Sequence, residues 1–563
     1  MERRVFLAIL LSFVVLFGYQ SFFAPKPAEF TDTASSAPAA VTTAAYPVAS
    51  ETLPAVDTAA PLVADTDARE IAVETDSVSA TFTSQGAVIT SWRLKRYPGD
   101  DGEPLDLVPS DLPPTAARPF AFETGDAALD ATLASALFKP SAERLDAAEG
   151  QTLAFEYGDA SGLVARKAFT IAADDQPYVL TFTASLERNG SPVPFRVAFG
   201  PSLGVGWNST GSSYYYPAVA ILSDGSSAER WDDGDLAGQA RHQGAYRWAG
   251  VSDHYFLSAV LSDGRPLDLH FQPVSLPAPR APEGTQRTYI AWSTAGMPGE
   301  TMRVFYGPKD FDILKAVDGS LVRAIDFGMF AFLVVPLLTA LKWINGYIGN
   351  FGWSIVTLTL IINALMAPLR HKSLVSMRKM QKLQPEVKAI QERYKKYKVT
   401  DPERQKMNTE MMALYRERGV NPAAGCVPML LTFPVLFAFY ALLSVAIELR
   451  GAPWFGWIHD LSAHDPLYIT PLLMGGSMFY QQFITPTSAD PTQQKMMLMM
   501  PVIFSVMFLW APSGLVIYWL FSNLWTIGQQ LITNRMAQPE VTVISQAPAV
   551  RRLKQKAKRT GRE

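Results

Sequence analysis

The C-terminal part of this chain contains apolar runs that are each close to the length needed to cross a lipid bilayer. A helix that spans the hydrocarbon core needs about 20 apolar residues, and its backbone polar groups must be hydrogen-bonded within it. These runs therefore predict a bundle of membrane-spanning α-helices. The five runs are Phe351–Leu369, Cys426–Ile447, Leu467–Ile484, Met497–Ala511 and Ser513–Ile532.

A further apolar run, Val5–Phe23, follows Arg3 and Arg4 at the start of the sequence. Such a run is typical of either a cleaved signal peptide or an uncleaved anchor. No Ala-x-Ala pattern follows it, and Pro25 would obstruct cleavage nearby. We therefore expect an uncleaved transmembrane anchor whose N-terminus lies in the cytoplasm.

Basic residues predict the orientation of the helices. The net charge of −3 conceals dense Lys and Arg clusters in the loop of residues 370–418 and in the tail of residues 551–559. Basic loops stay on the cytoplasmic side of a membrane, so we expect this loop, the tail and the C-terminus to be cytoplasmic. The loop of residues 448–466 contains a single arginine and several aromatic residues, and we expect it on the outer side.

One more apolar run, Phe327–Gly349, is also long enough to be a candidate membrane-crossing helix. If it crossed the membrane, the basic loop 370–418 would move to the outer side, against the positive-inside bias. Pro336 and Trp343 fit a helix that lies in the membrane interface. We therefore expect residues 321–349 to form an interfacial amphipathic helix, and a membrane-crossing helix is the alternative.

The region between the first and second membrane segments divides by composition. Residues 24–67 are rich in Ala, Pro, Thr and Ser and have few large apolar side chains, which predicts a disordered linker. In residues 68–320, apolar and polar residues alternate in short stretches that end in turn signals such as Gln85-Gly86 and Asn189-Gly190. This pattern predicts a large all-β domain, a two-sheet β-sandwich, on the outer side of the membrane.

No arrangement of residues in the sequence indicates catalysis or a bound cofactor. The carboxylate clusters Arg230–Asp235 and His459–Asp465 lack the spacing of a calcium loop or a zinc-binding helix, and no Walker-type phosphate motif occurs. The single cysteine, Cys426, excludes an intramolecular disulfide and is treated as a small apolar residue. We therefore expect no enzyme activity, no metal site and no cofactor.

Two polar residues, Thr359 and Asn363, lie one helical turn apart inside the first of the five runs. Polar side chains of membrane helices face protein or a water-filled space, so this helix is expected to carry one polar stripe. The stripe has two interpretations: a hydrogen-bonded contact between helices, or the wall of a hydrated cavity. Other polar residues that can face it are Thr432, Ser522, Asn523 and Thr526.

Long stretches of the C-terminal half resemble a known protein family. Three of them are "GNFGWSIVTLTLIINALMAPL", "SMRKMQKLQPEVKAIQERY" and "DPTQQKMMLMMPVIFSVMFLWAPSGLVIYWLFSNLWTIGQQ", and they are similar to the YidC-type membrane protein insertases of the YidC/Oxa/Alb family. The resemblance covers most of residues 345–530, and "YGPK" at Tyr306 adds a weaker match. The large outer β-domain resembles the Gram-negative form, which implies a multi-pass protein of the bacterial inner membrane with a periplasmic β-sandwich.

The resemblance implies a hydrophilic groove among five core helices, open to the cytoplasm and to lipid, where nascent membrane proteins rest their polar segments during insertion. It also implies action alone or beside the Sec translocon. The family usually has a basic side chain where this sequence has Asn363, and its groove threonine is matched by Thr359. Trp519, beside Tyr518, matches a position that is often tyrosine. The expected groove residues are Thr359, Asn363, Thr432, Tyr518, Trp519, Ser522 and Asn523.

The basic segments predict further contacts. Residues 370–422 are expected to form a helical hairpin with a turn at Asp401-Pro402. The hairpin would contact either anionic lipid or, as the resemblance implies, the client, and the tail would contact either ribosomal RNA or lipid. The hairpin residues are Arg378, Lys379, Lys382 and Lys388, and the tail residues are Arg551, Arg552, Lys554, Lys556, Lys558 and Arg559.

The expected fold is therefore a polytopic α-helical membrane protein, with a signal anchor and a five-helix insertase core, that carries a large all-β periplasmic domain. A transporter of small solutes or lipids is the main alternative, although we find no inverted repeat and no ionisable midplane site. An envelope enzyme acting on glycans is a third hypothesis, by fold analogy alone. The expected segments are the anchor 1–23, linker 24–67, β-sandwich 68–320, interfacial helix 321–349, core 350–533 with its hairpin 370–422, and tail 534–563.

Overall fold

The computed structural model divides into two compact units. The β unit is Pro27–Asp326 together with Val445–Glu448, and the helical unit is Met1–Lys26, Phe327–Ser444 and Leu449–Glu563. The predicted anchor 1–23 and the basic tail 551–559 lie outside the described residues. The structure describes residues 60–99, 102–108, 116–146, 151–171, 176–201, 218–277, 286–397, 401–419, 427–485 and 491–536.

The described strands of the β unit form three sheets. All strand pairs are antiparallel except β2 with β8, defined below. In chain order the strands are β1 Pro61–Val63, β2 Glu70–Glu74, β3 Val78–Thr83, β4 Val88–Pro98, β5 Pro104–Asp106, β6 Ala121–Glu123, β7 Lys139–Pro140, β8 Arg144–Asp146, β9 Thr152–Asp159, β10 Leu163–Ile171, β11 Val179–Arg188, β12 Ser191–Pro192, β13 Phe195–Pro201, β14 Val219–Ser223, β15 Ala228–Trp231, β16 Arg241–Gly244, β17 Trp248–Ser252, β18 Phe256–Leu261, β19 Leu267–Pro277, β20 Gln286–Gly296 and β21 Thr301–Pro308.

The prediction of a large all-β domain is confirmed, but the predicted pair of sheets is wrong. The largest sheet has the order β1-β9-β10-β11-β21-β18-β17-β14-β15, with β7 and β12 added beside β9 and β11. The other two have the orders β16-β19-β20-β13-β6 and β5-β4-β3-β2-β8. Alternation of apolar and polar residues identifies strands, whereas partners such as β11 and β21 are far apart in sequence and leave no local signal.

Alternating burial along the strands creates an aromatic core in the β unit. In β3 and β10 every second side chain is buried, as the two-residue period of a strand requires. The buried rings of Phe82, Phe120, Phe169 and Phe182 contact one another with centroids 4.9 to 5.3 Å apart. Rings at such separations add to the stability gained from their burial alone.

A buried lysine ties separate segments of this core together. Lys167 is only 2% exposed, and its ammonium donates to the carbonyl oxygens of Gly86, Ala87 and Phe120 at 2.8, 3.2 and 2.7 Å. Burial lowers the pKa of Lys167 well below its ordinary value. Gly86, Ala87 and Phe120 all have positive φ angles, so the ammonium binds carbonyls of a locally unusual backbone.

Three short helices of the β unit begin at aspartate caps. They are α1 Ala127–Ser135, α2 Asp233–Gly238 and α3 Phe311–Val317. Asp232 belongs to the carboxylate cluster seen in the sequence, and its side chain accepts from the backbone N–H of Asp235 at 2.9 Å. The cluster therefore contains a helix cap, a role typical of aspartate. Among the described residues, no group of three His, Cys, Asp or Glu side chains could hold a metal ion.

The helical unit contains the five apolar runs of residues 351–532, and each of these five lies within or overlaps a helix. In the described part of the chain, two helices, Gly328–Ile348 and Phe351–Lys382, are long and apolar enough to cross a membrane. Shorter apolar helical segments are Pro434–Val445 and Met497–Trp510. The helices are α4 Ala331–Ile348, α5 Phe351–Lys382, α6 Gln384–Arg393, α7 Pro402–Glu417, α8 Val427–Val445, α9 Ile469–Ile484, α10 Pro491–Met507 and α11 Ser513–Arg535.

Helix α4, the expected interfacial helix, has one packed face and one exposed apolar face. Its packed face consists of Val334, Leu338, Leu341 and Ile344. Large side chains remain exposed on the rest of the helix, and they are Phe332, Trp343, Tyr347 and Ile348. An exposed face with aromatic rings suits the membrane interface, and the interfacial position of this helix stays a prediction.

Helix α5 continues well past Arg370, His371 and Lys372, the basic residues that follow its apolar run. It begins at Asn350, whose side chain accepts from the N–H of Trp353 at 3.0 Å, and it continues through Arg370 to Lys382. After the break at Leu383 the next helix begins at Gln384, and Pro385 lies in its first turn, where a proline is tolerated. The basic residues therefore lie on the same rigid element as Thr359 and Asn363.

Candidate functional site

The polar stripe of α5 is held by hydrogen bonds within its own helix. The hydroxyl of Thr359 donates to the carbonyl of Ile355 at 2.6 Å, and the amide nitrogen of Asn363 donates to the carbonyl of Thr359 at 2.8 Å. Thr359 is fully buried and Asn363 is 3% exposed. The side chains are thus fixed, and the amide oxygen of Asn363 is left to accept from other groups.

Two groups donate to this amide oxygen. The Nη1 of Arg370 lies 2.6 Å from Asn363 Oδ1, and the hydroxyl of Ser522 on α11 lies 3.4 Å from it. Arg370 Nη1 also donates to the hydroxyl of Thr526, one turn further along α11, at 3.2 Å. Thr359, Asn363, Arg370, Ser522 and Thr526 therefore form one polar cluster, which lies between α5 and α11.

Arg370 is the member of the polar cluster that the sequence did not reveal. In the sequence it marks the basic end of an apolar run, a position typical of a side chain at the membrane surface. Seven residues make nearly two helical turns, so Arg370 and Asn363 share one face of α5. That spacing was the available signal, and a long arginine side chain can reach back along its helix.

Other expected groove residues lie away from the polar cluster. The ring of Tyr518 stacks on Phe439 of α8 with centroids 4.3 Å apart, although the phenol is close enough to Arg370 to interact electrostatically. Trp519 contacts Phe508 with ring centroids 5.0 Å apart. Tyr518 and Trp519 therefore take part in aromatic contacts rather than in the hydrogen bonds of the polar cluster.

Asn523 has a different partner from its neighbour Ser522. Its amide nitrogen donates to the hydroxyl of Ser477 on α9 at 3.1 Å. This bond joins α11 to α9, which corresponds to the helix-to-helix interpretation of a polar residue in a membrane protein. The side chain of Thr432, also expected in the groove, lies outside the described residues.

A second polar layer joins α5, α9 and α11 further along the same helices. Gln529 donates to the carbonyl of Ala367 at 2.7 Å, and Gln530 donates to the carbonyl of Ile484 at 2.7 Å. Arg378, one of the expected hairpin residues, donates to the carbonyl of Thr533 at 2.7 Å. Because these bonds run from side chains of one helix to backbone carbonyls of another, this layer has a structural role in joining the helices.

The loop expected on the outer side is closed by one buried carboxylate, Asp465. Its Oδ1 accepts from the indole of Trp457 at 2.8 Å and from the N–H of Leu467 at 2.9 Å, and its Oδ2 accepts from the N–H and hydroxyl of Thr470 at 2.7 and 2.8 Å. Burial alone would raise the pKa of Asp465, but these hydrogen bonds outweigh it and lower the pKa below its ordinary value.

Of the region 370–422 expected to form a hairpin, residues 370–382 belong to α5, and helices α6 and α7 follow. Asp401 caps α7 by accepting from the N–H of Glu403 at 3.0 Å. Ion pairs join the two helices and the following turn: Arg393 with Glu410 at 2.7 Å, and Arg418 with Glu386 at 3.0 Å. Such exposed pairs contribute little to stability. Of the expected hairpin residues, Arg378, Lys379 and Lys382 lie on α5 and Lys388 lies on α6.

Comparisons with known proteins agree across both units. Residues 343–540 match the family described as "60Kd inner membrane protein", and residues 70–340 match "YidC periplasmic domain". The membrane protein insertase YidC of Geobacter metallireducens is 37% identical over 551 residues, covering 95% of this chain and 98% of that protein. The chain belongs to the YidC family of membrane protein insertases. The corresponding protein of Geobacter sulfurreducens is also 37% identical, over 559 residues, with the same coverage of both chains.

A solved structure of a YidC family member is also similar. A crystal structure of an active YidC insertase with its first transmembrane domain resolved covers 86% of this chain and 96% of that chain, at 19% identity and a TM-score of 0.35. Membership of the YidC family rests on the sequence matches, which confirm the resemblance seen in the sequence. The chain is accordingly an inner-membrane protein with a periplasmic domain, and the β unit corresponds to that domain.

Proposed function

We propose that this chain is a membrane protein insertase whose polar cluster receives the polar segment of a nascent membrane protein. The observation that carries the proposal is the cluster itself, because Asn363 and Arg370 lie between two apolar helices and bond to Ser522 and Thr526. Such groups are costly among membrane helices and are typical of functional sites. Membership of the YidC family supports this role for the polar cluster.

The physical task of an insertase is to lower the barrier for a polar segment. A charged side chain at the bilayer centre costs roughly 2.5–3.5 kcal/mol on insertion scales, and a short polar tail carries several polar groups. Hydrogen-bonding side chains along α5 and α11 replace part of the water that the tail loses. The apolar helix of the client then enters lipid, and burial of its surface drives insertion without nucleotide.

Insertion in a purified system tests the proposal. Full-length protein in liposomes is expected to insert a client with one apolar helix and a short polar tail, measured as protease protection of the tail, without ATP or GTP. Replacing Asn363 by leucine removes the amide oxygen and is expected to slow insertion about tenfold, the equivalent of one hydrogen bond to a charged group.

The matched control for this experiment is Asn534→Leu. This control makes the same substitution at an exposed asparagine near the end of α11, outside the polar cluster. It is expected to insert the client at the wild-type rate. Failure of the wild-type protein with active lipid and client would contradict the proposed function, whereas an unchanged rate for Asn363→Leu would leave the polar cluster a structural feature only.

We further propose partners for the basic segments. Nascent membrane proteins are the clients, and the chain acts on them alone or with the Sec translocon. The hairpin residues Lys379 and Lys388 attract the anionic headgroups of the inner leaflet. The N-terminus and C-terminus are proposed to lie in the cytoplasm, in agreement with the basic tail.

The basic tail is proposed to bind ribosomal RNA through phosphate contacts. Removing residues 551–562 is expected to weaken co-sedimentation of the detergent-solubilised protein with ribosomes, and the loss is expected to shrink as salt rises, because such contacts release counterions. Sedimentation that does not change on truncation would exclude a ribosome role. Flotation with anionic vesicles, run in parallel, shows whether the same residues bind lipid.

A further inference from the structure

The face of α5 that carries the polar cluster continues outward to a glycine. Gly352, Thr359, Asn363 and Arg370 follow one another at intervals of seven, four and seven residues. With 3.6 residues per turn these intervals place all four along one line of the helix, and Gly352 lies about 10 Å beyond Thr359 along the axis. The outer end of this face is therefore a position without a side chain.

The space at Gly352 is filled by the indole of Trp454, from the loop expected on the outer side. A Cβ atom built at Gly352 would overlap the Cδ1 and Cγ atoms of Trp454 and lie 2.6 Å from its Cβ. The same indole contacts the ring of Trp353 on α5 and the ring of Phe521 on α11, with centroids 5.6 and 6.2 Å away. Phe521 directly precedes Ser522 of the polar cluster. The indole thus lies between α5 and α11 at the outer end of the polar face.

Hydrogen bonds hold the backbone around Trp454 against both helices. Asn350, the N-cap of α5, donates from Nδ2 to the carbonyl oxygens of Pro453 and Trp454, both at 3.1 Å. The N–H of Gly514, in the first turn of α11, donates to the carbonyl of Leu461 in the same loop at 2.9 Å. The loop is therefore tied to the beginning of α5 and of α11, and this places the indole between them.

The indole N–H of Trp454 makes no hydrogen bond in this position. Its Nε1 is buried, and among the residues that the structure describes it has no acceptor. Leaving a buried donor without a partner costs free energy, and buried tryptophan N–H groups usually find an acceptor. Trp457 of the same loop does so, because its indole donates to Asp465 at 2.8 Å. The bulk and the apolar faces of the Trp454 ring therefore determine its place, and ring contacts alone hold it there.

We propose that the indole of Trp454 is a displaceable stopper at the outer end of the polar face of α5. At rest the ring prevents ions from passing along this face, since an apolar constriction excludes the water that an ion needs. During insertion the polar segment of the client displaces the ring on its way to the outer side. Gly352 is a positioning residue, because it leaves the space that the ring fills. The assignment rests on the proposed function and names the residue that controls exit from the polar cluster.

The first test measures proton entry into vesicles that contain the full-length protein and a trapped pH-sensitive dye, without a client. Trp454→Ala removes the ring and is expected to raise the protein-dependent proton leak about tenfold, which corresponds to a barrier lower by about 1.4 kcal/mol. Trp454→Phe keeps an aromatic ring and is expected to leak much less than Trp454→Ala. Gly352→Ala forces the indole out of its space and is expected to leak as Trp454→Ala does.

The second test distinguishes a displaced stopper from a misfolded protein. Leucine is smaller than tryptophan, so the double variant Gly352→Ala with Trp454→Leu has room for the new methyl group and is expected to leak less than Gly352→Ala alone. Because the client no longer has to displace a ring, Trp454→Ala is expected to insert the client at least as fast as the wild type. Slower insertion by Trp454→Ala would overturn displacement of the ring by the client.

The matched control is Phe455→Ala, which removes the neighbouring aromatic ring of the same loop. Phe455 is 65% exposed and is expected to leave the proton leak at the wild-type level. An unchanged leak in Trp454→Ala and Gly352→Ala would overturn the stopper and leave the indole a packing residue. An equal leak in Phe455→Ala would also overturn it, because any damage to the loop would then suffice. Neither result affects insertion by the wild type, which tests the proposed function separately.

Discussion

Replacing Gly250 by alanine is expected to unfold the β unit or to lower its free energy of unfolding by roughly 3 kcal/mol or more. Gly250 lies in β17 and pairs with Ala259 of β18 on one side and Ile221 of β14 on the other. A Cβ atom built at this position overlaps the carbonyl oxygen of Ser258 and lies 2.7 Å from the Cα of Ala259. Because these are backbone atoms, the strands themselves must separate to make room.

The matched control for this change is Gly238→Ala. Gly238 ends the short helix α2, and a Cβ atom there meets nothing within 4 Å. Thermal unfolding of the full-length protein in detergent is followed by the protease sensitivity of the β unit. Gly250→Ala is expected to become protease-sensitive at a lower temperature than the wild type, and Gly238→Ala at the wild-type temperature. Equal stability of both would contradict the close approach of β17 and β18.

The same variant distinguishes two functional hypotheses. The polar cluster lies in the helical unit, so insertion by Gly250→Ala protein that reaches the membrane is expected to persist in part. An envelope enzyme acting through its β-sandwich would lose all of its activity when the β unit unfolds. Complete loss of function with an intact helical unit would therefore favour the enzyme hypothesis over insertion.

The fold was predictable to the extent that local patterns determine it. Strong alternation in segments such as Val179–Arg188 identifies strands, and long apolar runs such as Phe351–Leu369 identify helices. The number of sheets was not predictable in this way. It depends on pairings such as Val179 with Phe305, in which the two residues are more than a hundred positions apart and neither strand encodes its partner.

The polar cluster was predictable in its chemistry but not in its membership. Thr359 and Asn363 share a face of α5 by their spacing, and Ser522 and Thr526 share a face of α11 for the same reason. Asn523 is one position from Ser522 and points toward α9, because adjacent helical residues do not face the same neighbour. Packing between helices decides whether the Ser522 face or the Asn523 face of α11 meets α5. The sequence of α11 alone does not determine this choice.

Arg370 was missed for a related reason. A basic residue after an apolar run has a strong default interpretation as the surface end of a span. The structure instead continues α5 beyond it and directs its guanidinium back to Asn363. Position 363 thus has an asparagine instead of the expected basic residue, and Arg370, two turns later, donates a hydrogen bond to that asparagine.

Replacing Asp465 by asparagine is expected to lower the free energy of unfolding of the helical unit by roughly 3 kcal/mol or more, the cost of two hydrogen bonds to a charged acceptor. The carboxylate accepts four hydrogen bonds, two on each oxygen. Asparagine keeps only one oxygen, and its NH₂ group would face two N–H or O–H donors. The loop that joins α8 to α9 would then lose its central acceptor.

The change also removes a pH dependence. Because the pKa of Asp465 is lowered in the folded protein, its contribution is fully present above the ordinary value of 3.8 and is lost as the pH falls through the lower folded-state pKa. The stability difference between wild type and Asp465→Asn is therefore expected to shrink below about pH 4. Thermal unfolding in detergent at neutral and acidic pH measures this difference.

Asp460→Asn is the matched control, because Asp460 lies in the same loop but accepts only from the N–H and hydroxyl of its neighbour Ser462, both at 2.7 Å. Its loss is expected to cost less than about 1 kcal/mol. If both variants lowered stability equally, the loop would be sensitive to the loss of any carboxylate. The four hydrogen bonds of Asp465 would then not explain its contribution to stability. If only Asp465→Asn lowered stability, and if it also slowed insertion, the result would link this loop to the polar cluster. The link would run through α9, because Ser477 of α9 accepts a hydrogen bond from Asn523 of α11, the helix that contributes to the polar cluster.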